Sequence, residues 1–259
     1  MTAQLRVARQ GRTVVLSISN LPQRNALDPV MYVQGIEALE QARADHAVAS
    51  VVLTGDGSVF SAGGNLQRLQ ANRQLPADAQ TDSIEGLHSW IRAIRAFPKP
   101  VIAAVEGAAA GAGFSLALAC DFIVAARNAV FVMAYSNIAL SPDGGGSWHL
   151  ARSLPRQLVS ELLMCGEKIE APRLQALGLV NRIADAGQAL PEALGLASGL
   201  NRRAGNALAS IKALINEAAH GTLEQQLRHE CGHFVQNLHH PNAGIGIAAY
   251  LAKQPPHYE

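Results

Sequence analysis

Two glycine-rich segments of this sequence have the composition of backbone ligand sites. The first is Ser61-Ala62-Gly63-Gly64-Asn65. The second is Gly107-Ala108-Ala109-Ala110-Gly111-Ala112-Gly113, which follows one apolar run and opens another. Residues this small let the main chain approach a ligand closely. Where such a loop enters a helix, the first turn adds unpaired N–H donors and the positive end of the helix dipole. Together these can hold negative charge developing on an oxygen. Close helix–strand packing explains the same residues, and on the loops alone that reading stays open. A dinucleotide fingerprint does not fit, because Gly111-Ala112-Gly113 continues Phe114-Ser115-Leu116 without the third glycine, and no Gly-Lys-Ser/Thr of a phosphate loop is present.

Asp143 stands in Ser141-Pro142-Asp143-Gly144-Gly145-Gly146-Ser147-Trp148, a turn ahead of a helix. Aspartate there is either a working carboxylate or an N-cap. His229 and His233 bracket Glu230 in a superficial zincin pattern. They lie on an amphipathic C-terminal helix with no third ligand evident, so a surface or inter-subunit helix is expected and no metal. Cys120, Cys165 and Cys231 are odd in number and form no Cys-x-x-Cys pair, which indicates neither a disulfide framework nor a thiolate zinc site.

The elements that must position these residues read as follows. Residues 5–8 and 13–18 form a hairpin around Gly11-Arg12, and residues 22–25 a turn. Asp28-Pro29 starts a helix to about Arg43, with Asp as cap and Pro at the first position. Residues 50–54 and 101–105 are continuous apolar runs, the mark of strands covered on both faces. The polar stretch 67–82 is expected to be mobile, and residues 83–97 to form a helix ended by Pro98 and Pro100. Residues 107–113 make a turn into a helix through Ala119. Strands at 122–126 and 130–132 and a helix from 143 through Arg152 follow. From Gln188 the pattern is helical, with clear segments at 201–220 and 223–238. Strands alternating with helices, then a helical tail, argue for an α/β fold with a helical C-terminal extension.

The chain has 259 residues, enough for one or two domains with a sizeable core. Its 21 Lys and Arg nearly balance 20 Asp and Glu, for a net charge of +1, which gives no footprint for nucleic acid or a membrane surface. No uninterrupted apolar run reaches a membrane span, and residues 1–10 have no apolar core of the secretory kind, so a cytoplasmic enzyme is expected.

Phe60-Ser61-Ala62-Gly63-Gly64-Asn65-Leu66 resembles the first oxyanion loop of the crotonase superfamily, the enoyl-CoA hydratase/isomerase family. Lys99-Pro100-Val101-Ile102-Ala103-Ala104-Val105-Glu106-Gly107, with Gly111-Ala112-Gly113, Leu116-Ala117 and Cys120-Asp121, resembles the second. Arg24-Asn25-Ala26-Leu27 is similar to the segment that touches CoA, and Ala176-Leu177-Gly178-Leu179-Val180 to the one before the last strand. The resemblance runs in order over nearly the whole chain and is closest in pattern to 1,2-epoxyphenylacetyl-CoA isomerase-type members. It implies a crotonase-like spiral of ββα units over residues 1–200 and a helical oligomerisation region over 201–259, in a homotrimer or dimer of trimers. It implies an acyl-CoA substrate and no separate cofactor, since CoA enters as the thioester. The oxyanion donors fall on the N–H groups of Ala62 and Ala112. Arg24, Ala26, Ser61, Gly63, Asn65, Leu66, Phe114, Ser115, Met133, Tyr135 and Trp148 are the implied substrate-binding set.

Against that pattern, the two glutamates of the hydratases are replaced by Ser115 and Tyr135. Neither activates water as a carboxylate does. Asp143 falls where isomerase members and 4-chlorobenzoyl-CoA dehalogenases carry their working carboxylate, and His88 falls near the dehalogenase histidine. An isomerase with Asp143 as acid and base is the first expectation. A dehalogenase-like hydrolase, a hydratase by a non-standard route and a non-catalytic acyl-CoA binder are the alternatives.

Overall fold

The computed structural model describes residues 3–258. Strands β1 (Gln4–Gln10) and β2 (Thr13–Ser19) form the antiparallel hairpin, turned at Gly11 with φ +59°. Helix α1 (Pro29–Ala44) starts as its sequence dictates, with Asp28 accepting from the Val30 N–H at 3.2 Å. Strand β3 (Ser50–Gly55) then lies parallel to β2.

Two helices follow, α2 (Leu66–Asn72) and α3 (Ala77–Ala96). The polar stretch expected to be mobile is therefore largely helical, because the Asn65 side chain accepts from the Gln67 and Arg68 N–H groups and caps α2. Likewise α3 begins six residues before the expected 83, on the Pro76 turn. Strand β4 (Val101–Val105) is buried throughout. The small-residue segment after it contains a short strand, β5 (Ala108–Ala110), before α4 (Ala112–Ala119). Then come β6 (Phe122–Ala126), β7 (Val130–Val132), α5 (Gly146–Ser153), α6 (Arg156–Ser160), β8 (Lys168–Glu170), α7 (Ala171–Ala176) and β9 (Arg182–Ala184). The chain closes with α8 (Ala189–Leu200), α9 (Gly205–Ala218), α10 (Leu223–Leu238) and α11 (Pro241–Leu251).

The main sheet has the order β1-β2-β3-β4-β6-β9, parallel from β2 onward. A second sheet, β5-β7-β8, stands beside it. Main-sheet strands β4 and β6 are each followed by a short strand of the second sheet and then by a helix, as in β4-β5-α4. This is the spiral of ββα units that the resemblance implies.

Burial on both faces explains the apolar runs. On one face α8 sets Ala189, Ala193 and Ala197, four residues apart on a single stripe, against Val52, Ile102, Ala104 and Val124. On the other, α1 and α3 cross so closely that a Cβ on Gly35 would overlap the Trp90 indole.

The C-terminal helices are tied in through α9, whose Asn216 amide donates to the Arg95 carbonyl at 3.0 Å. Lys212 of α9 is buried, and its Nζ donates to Asp121 Oδ2 at 2.8 Å and to the Ile94 carbonyl at 3.0 Å. Burial pushes Asp121 up and Lys212 down from their ordinary values, against their mutual attraction. Beyond α9, α10 and α11 bury no residue, and Leu223, Phe234, Tyr250 and Leu251 are exposed by 71, 69, 85 and 77%. Among the described residues no helix is long and apolar enough to cross a membrane.

Candidate active site

The two glycine segments lie side by side. The Ser61 N–H donates to Ala108 O at 3.0 Å and the Ala110 N–H to Ser61 O at 2.9 Å, so the first loop pairs along β5. Ser61 is fully buried, and its Oγ donates to Asn25 O and accepts from the Gly63 N–H. Gly63 has φ +85°, and a Cβ on it would stand 2.5 Å from Ala110 O. Both the backbone region and the contact require glycine. Gly63→Ala is expected to cost about 1–3 kcal/mol in local strain and to part the loops. The check is calorimetric affinity for an acyl-CoA together with urea unfolding; unchanged binding would contradict the packing described.

The two N–H groups singled out from sequence differ in state. Ala112 is the first residue of α4, entered through Gly111 at φ +50°, and its N–H has no intrahelical acceptor. The Ala62 N–H instead donates to the Arg24 carbonyl at 2.9 Å. That carbonyl is aimed by a tight turn in which Arg24 and Asn25 have φ +51° and +58°. The buried Asn25 amide pins the turn by donating to Asp56 O and Val59 O.

A cavity of about 630 Å³ opens over these loops, with Ala62, Leu66, His88, Ala112, Tyr135 and Asp143 in its wall. Asp143 contributes its one carboxylate among the described residues. It does not cap α5: the N-cap of that helix is Gly145, with no side-chain cap. Its Oδ1 accepts from Tyr135 Oη at 2.6 Å, and its main-chain oxygen accepts from Ser115 Oγ at 2.9 Å. The two positions that lack glutamates therefore both turn onto residue 143. Burial raises the Asp143 carboxyl above its ordinary range, opposed by the Tyr135 hydrogen bond and by His88. Burial, then the Asp143 charge, raises the Tyr135 phenol, which stays protonated and donates.

The expected binding residues separate into groups. Ala26, Ser61, Gly63 and Ser115 are buried and do not line the cavity, and Asn65 serves as the α2 cap. Arg24 is exposed, and it reaches the site through its carbonyl. Three residues expected in the acyl pocket lie elsewhere. Phe114 packs on Phe131 at 4.9 Å between ring centroids, inside the core. Met133 is buried, close enough to Gly146 that a Cβ there would strike it. Trp148 lines a second cavity on the far side of the Gly144–Gly146 turn. His88 does line the site, but its Nδ1 faces Glu85 Oε1 at 3.1 Å. Sequence reading missed several wall residues, Tyr32 and Arg68 among them. Arg68 sits on the segment read as mobile and pairs with Asp28 at 3.3 Å.

A family model described as Enoyl-CoA hydratase/isomerase matches residues 10–259. The chain belongs to that family. Among its curated relatives, this enoyl-CoA hydratase/isomerase family member is 36% identical over 243 residues to the 1,2-epoxyphenylacetyl-CoA isomerase of Escherichia coli (strain K12), covering 92% of each chain. It is 34% identical over 257 residues to the 2,3-dehydroadipyl-CoA hydratase of the same organism, covering 99% of each. The crystal structure of an enoyl-CoA hydratase from Polaromonas sp. JS666 superposes with a TM-score of 0.98 at 64% identity, covering 99% of this chain and 100% of that one. Fold and family are as the sequence motifs imply; hydratases and isomerases both stand among the relatives.

Proposed function

We propose that this protein is an acyl-CoA isomerase in which Asp143 moves one proton between two carbons of the same substrate. The observation that carries the reading is that Asp143 is the one carboxylate in the cavity wall among the described residues. Syn-hydration by the usual route asks for two carboxylates, and a 1,3-shift asks for one group acting first as base and then as acid. For a 3-enoyl-CoA, Asp143 removes a proton from C2 and the electrons move onto the thioester oxygen. The Ala112 N–H, joined by the Ala62 N–H once it leaves the Arg24 carbonyl, stabilises that oxygen. The carboxylic acid then returns the proton to C4 and the double bond stands at C2–C3. No separate cofactor takes part.

The test is a product panel with 3-enoyl-CoA and ring-epoxide CoA esters. Double-bond migration or ring isomerisation outpacing hydration supports the reading, and undiminished turnover by Asp143→Asn sinks it. A second reading, dehalogenase-like hydrolysis with Asp143 attacking an aryl carbon, is favoured by His88 in the same wall, and it predicts halide release from an aryl-CoA. Turnover of neither class, with CoA-ester binding kept, leaves a binder.

The Tyr135 hydroxyl is expected to set the pH range. Its hydrogen bond lowers the Asp143 pKa, so Tyr135→Phe raises it further. The base is active above that pKa, and the acid limb of kcat/KM should therefore move to higher pH. A limb that moves down or stays would count against the role.

For residues 201–259 we propose an oligomerisation role, in a homotrimer or dimer of trimers, supported by the exposed apolar side chains of α10 and α11. Light scattering in solution measures it.

A further inference from the structure

The second cavity, about 780 Å³, lies against the first along two shared elements. On α3, Ile84 and His88 line the proposed active site, and Ile91 and Arg95 line the second cavity. These four fall at i, i+4, i+7 and i+11, a single helical stripe. On the other wall, Asp143 lines the first cavity, Trp148 and His149 the second, and Gly145 both. The second cavity thus adjoins the first along α3 and at Gly145, past the turn that carries Asp143.

Its chemistry is that of an anion receptor. Two guanidiniums stand over the Trp148 indole, Arg152 at 4.1 Å and Arg95 at 5.5 Å from the ring centroid. The His220 ring lies 5.6 Å from it. Arg95 is half-buried and donates no side-chain hydrogen bond to any other described residue. Of the nearby carboxylates, Asp121 pairs with Lys212 and also acts on Arg95, Glu85 is held by Arg92 and His88, and Glu217, in the wall of this same cavity, faces His229 at 2.7 Å. Burial lowers Arg95 from its ordinary value, and burial followed by Arg95 and Arg152 brings His149 down to about 4, so His149 is neutral at neutral pH. A guanidinium drawn out of water without an acceptor gains most from a carboxylate, which it binds through paired N–H donors.

We propose that this cavity is a subsite for a carboxylate carried on the far end of the acyl group, with Arg95 as its ligand, so that the enzyme prefers ω-carboxyl acyl-CoA esters. The proposal rests on the acyl-CoA reading of the first cavity. Arg95 lies seven residues along α3 from His88, about 10 Å at the helical rise. At roughly 1.3 Å of advance per bond of an extended chain, that span takes about eight carbons.

The experiment compares length-matched saturated esters by titration calorimetry: adipyl- against hexanoyl-CoA, suberyl- against octanoyl-CoA, and sebacyl- against decanoyl-CoA. Saturated esters are not consumed by a double-bond shift, so the result does not depend on whether Asp143 isomerises anything. The wild type should favour the carboxylate member by about tenfold or more in at least one pair, most strongly near eight carbons. Arg95→Met should abolish that preference with the ω-methyl affinities unchanged, and Arg95→Lys should retain part of it. No preference in the wild type, or a preference that survives Arg95→Met, overturns the proposal. So does an equal loss for both members of a pair. Failure of the acyl-CoA reading looks different, as no affinity for any ester, and it takes this proposal with it.

Discussion

Asp143→Asn lowers kcat/KM for double-bond migration by roughly 10²–10⁴-fold, and affinity for a saturated acyl-CoA stays close to that of the wild type. The two parts of this expectation have separate causes. The amide is the size of the carboxyl, and its oxygen still accepts from Tyr135 Oη, so the turn at 143 keeps its shape. The Ser115 hydroxyl bonds the main-chain oxygen of residue 143 and does not sense the change. What is lost is the lone carboxylate of the cavity wall among the described residues, the group that on the proposed reading takes and returns the proton. In the wild type the same carboxyl imposes a pH dependence. Its pKa in the folded protein lies above the ordinary carboxylate value, chiefly through burial. Activity is therefore present above that raised pKa and falls as pH drops through it. Steady-state rates across pH for the two proteins, with isothermal titration of a saturated ester, separate chemistry from binding.

Lys212→Met destabilises the fold by about 3–5 kcal/mol, the usual consequence of leaving one member of a buried ion pair without its partner. Asp121 then keeps its bond from the Val101 N–H but loses its cation, in a place where burial already raises its pKa. The pair is no bonus to stability: burial pushes each partner toward its neutral form. Two further outcomes distinguish this account from simple loss of packing. Asp121→Asn combined with Lys212→Met should recover much of the deficit, because the amide still accepts from Val101 and carries no charge. The deficit of the single variant should also shrink on acidification. An acid whose folded pKa exceeds its unfolded value gains stability as pH falls through the folded value. Urea unfolding at matched protein concentration reads all three, since assembly adds concentration-dependent stability.

Where residue types dictate geometry, the sequence was a good guide. The Asp28-Pro29 helix start, the hairpin at Gly11 and the buried runs of β3 and β4 follow from capping, turn chemistry and burial on both faces. The three-residue strands β5 and β8 are too short to show a period. Helix α2 is polar because it lies at the surface, and composition alone reads as mobility there. At the site, the motif order pointed to Ala62, Ala112 and Asp143, which do share one wall. Two features had no signal. Gly144 and Gly145 adopt φ +58° and +77°, and three consecutive glycines carry no rule that says Asp143 and Trp148 face different cavities. The turn at 22–25 is legible, but its left-handed conformation at Arg24 is equally silent, since arginine rarely adopts that region.

That turn has a consequence for selectivity. The Arg24 carbonyl on the Ala62 N–H acts as a tethered competitor for one of the two proposed oxyanion donors. A neutral thioester oxygen is a poor challenger, for it exchanges one neutral hydrogen bond for another. An enolate oxygen makes charge-assisted bonds, roughly twice as strong, and displaces the competitor readily. On the proposed reading the resting loop thus weakens the hold on bound substrate more than the hold on the charged intermediate, and it is in that difference that rate enhancement lies.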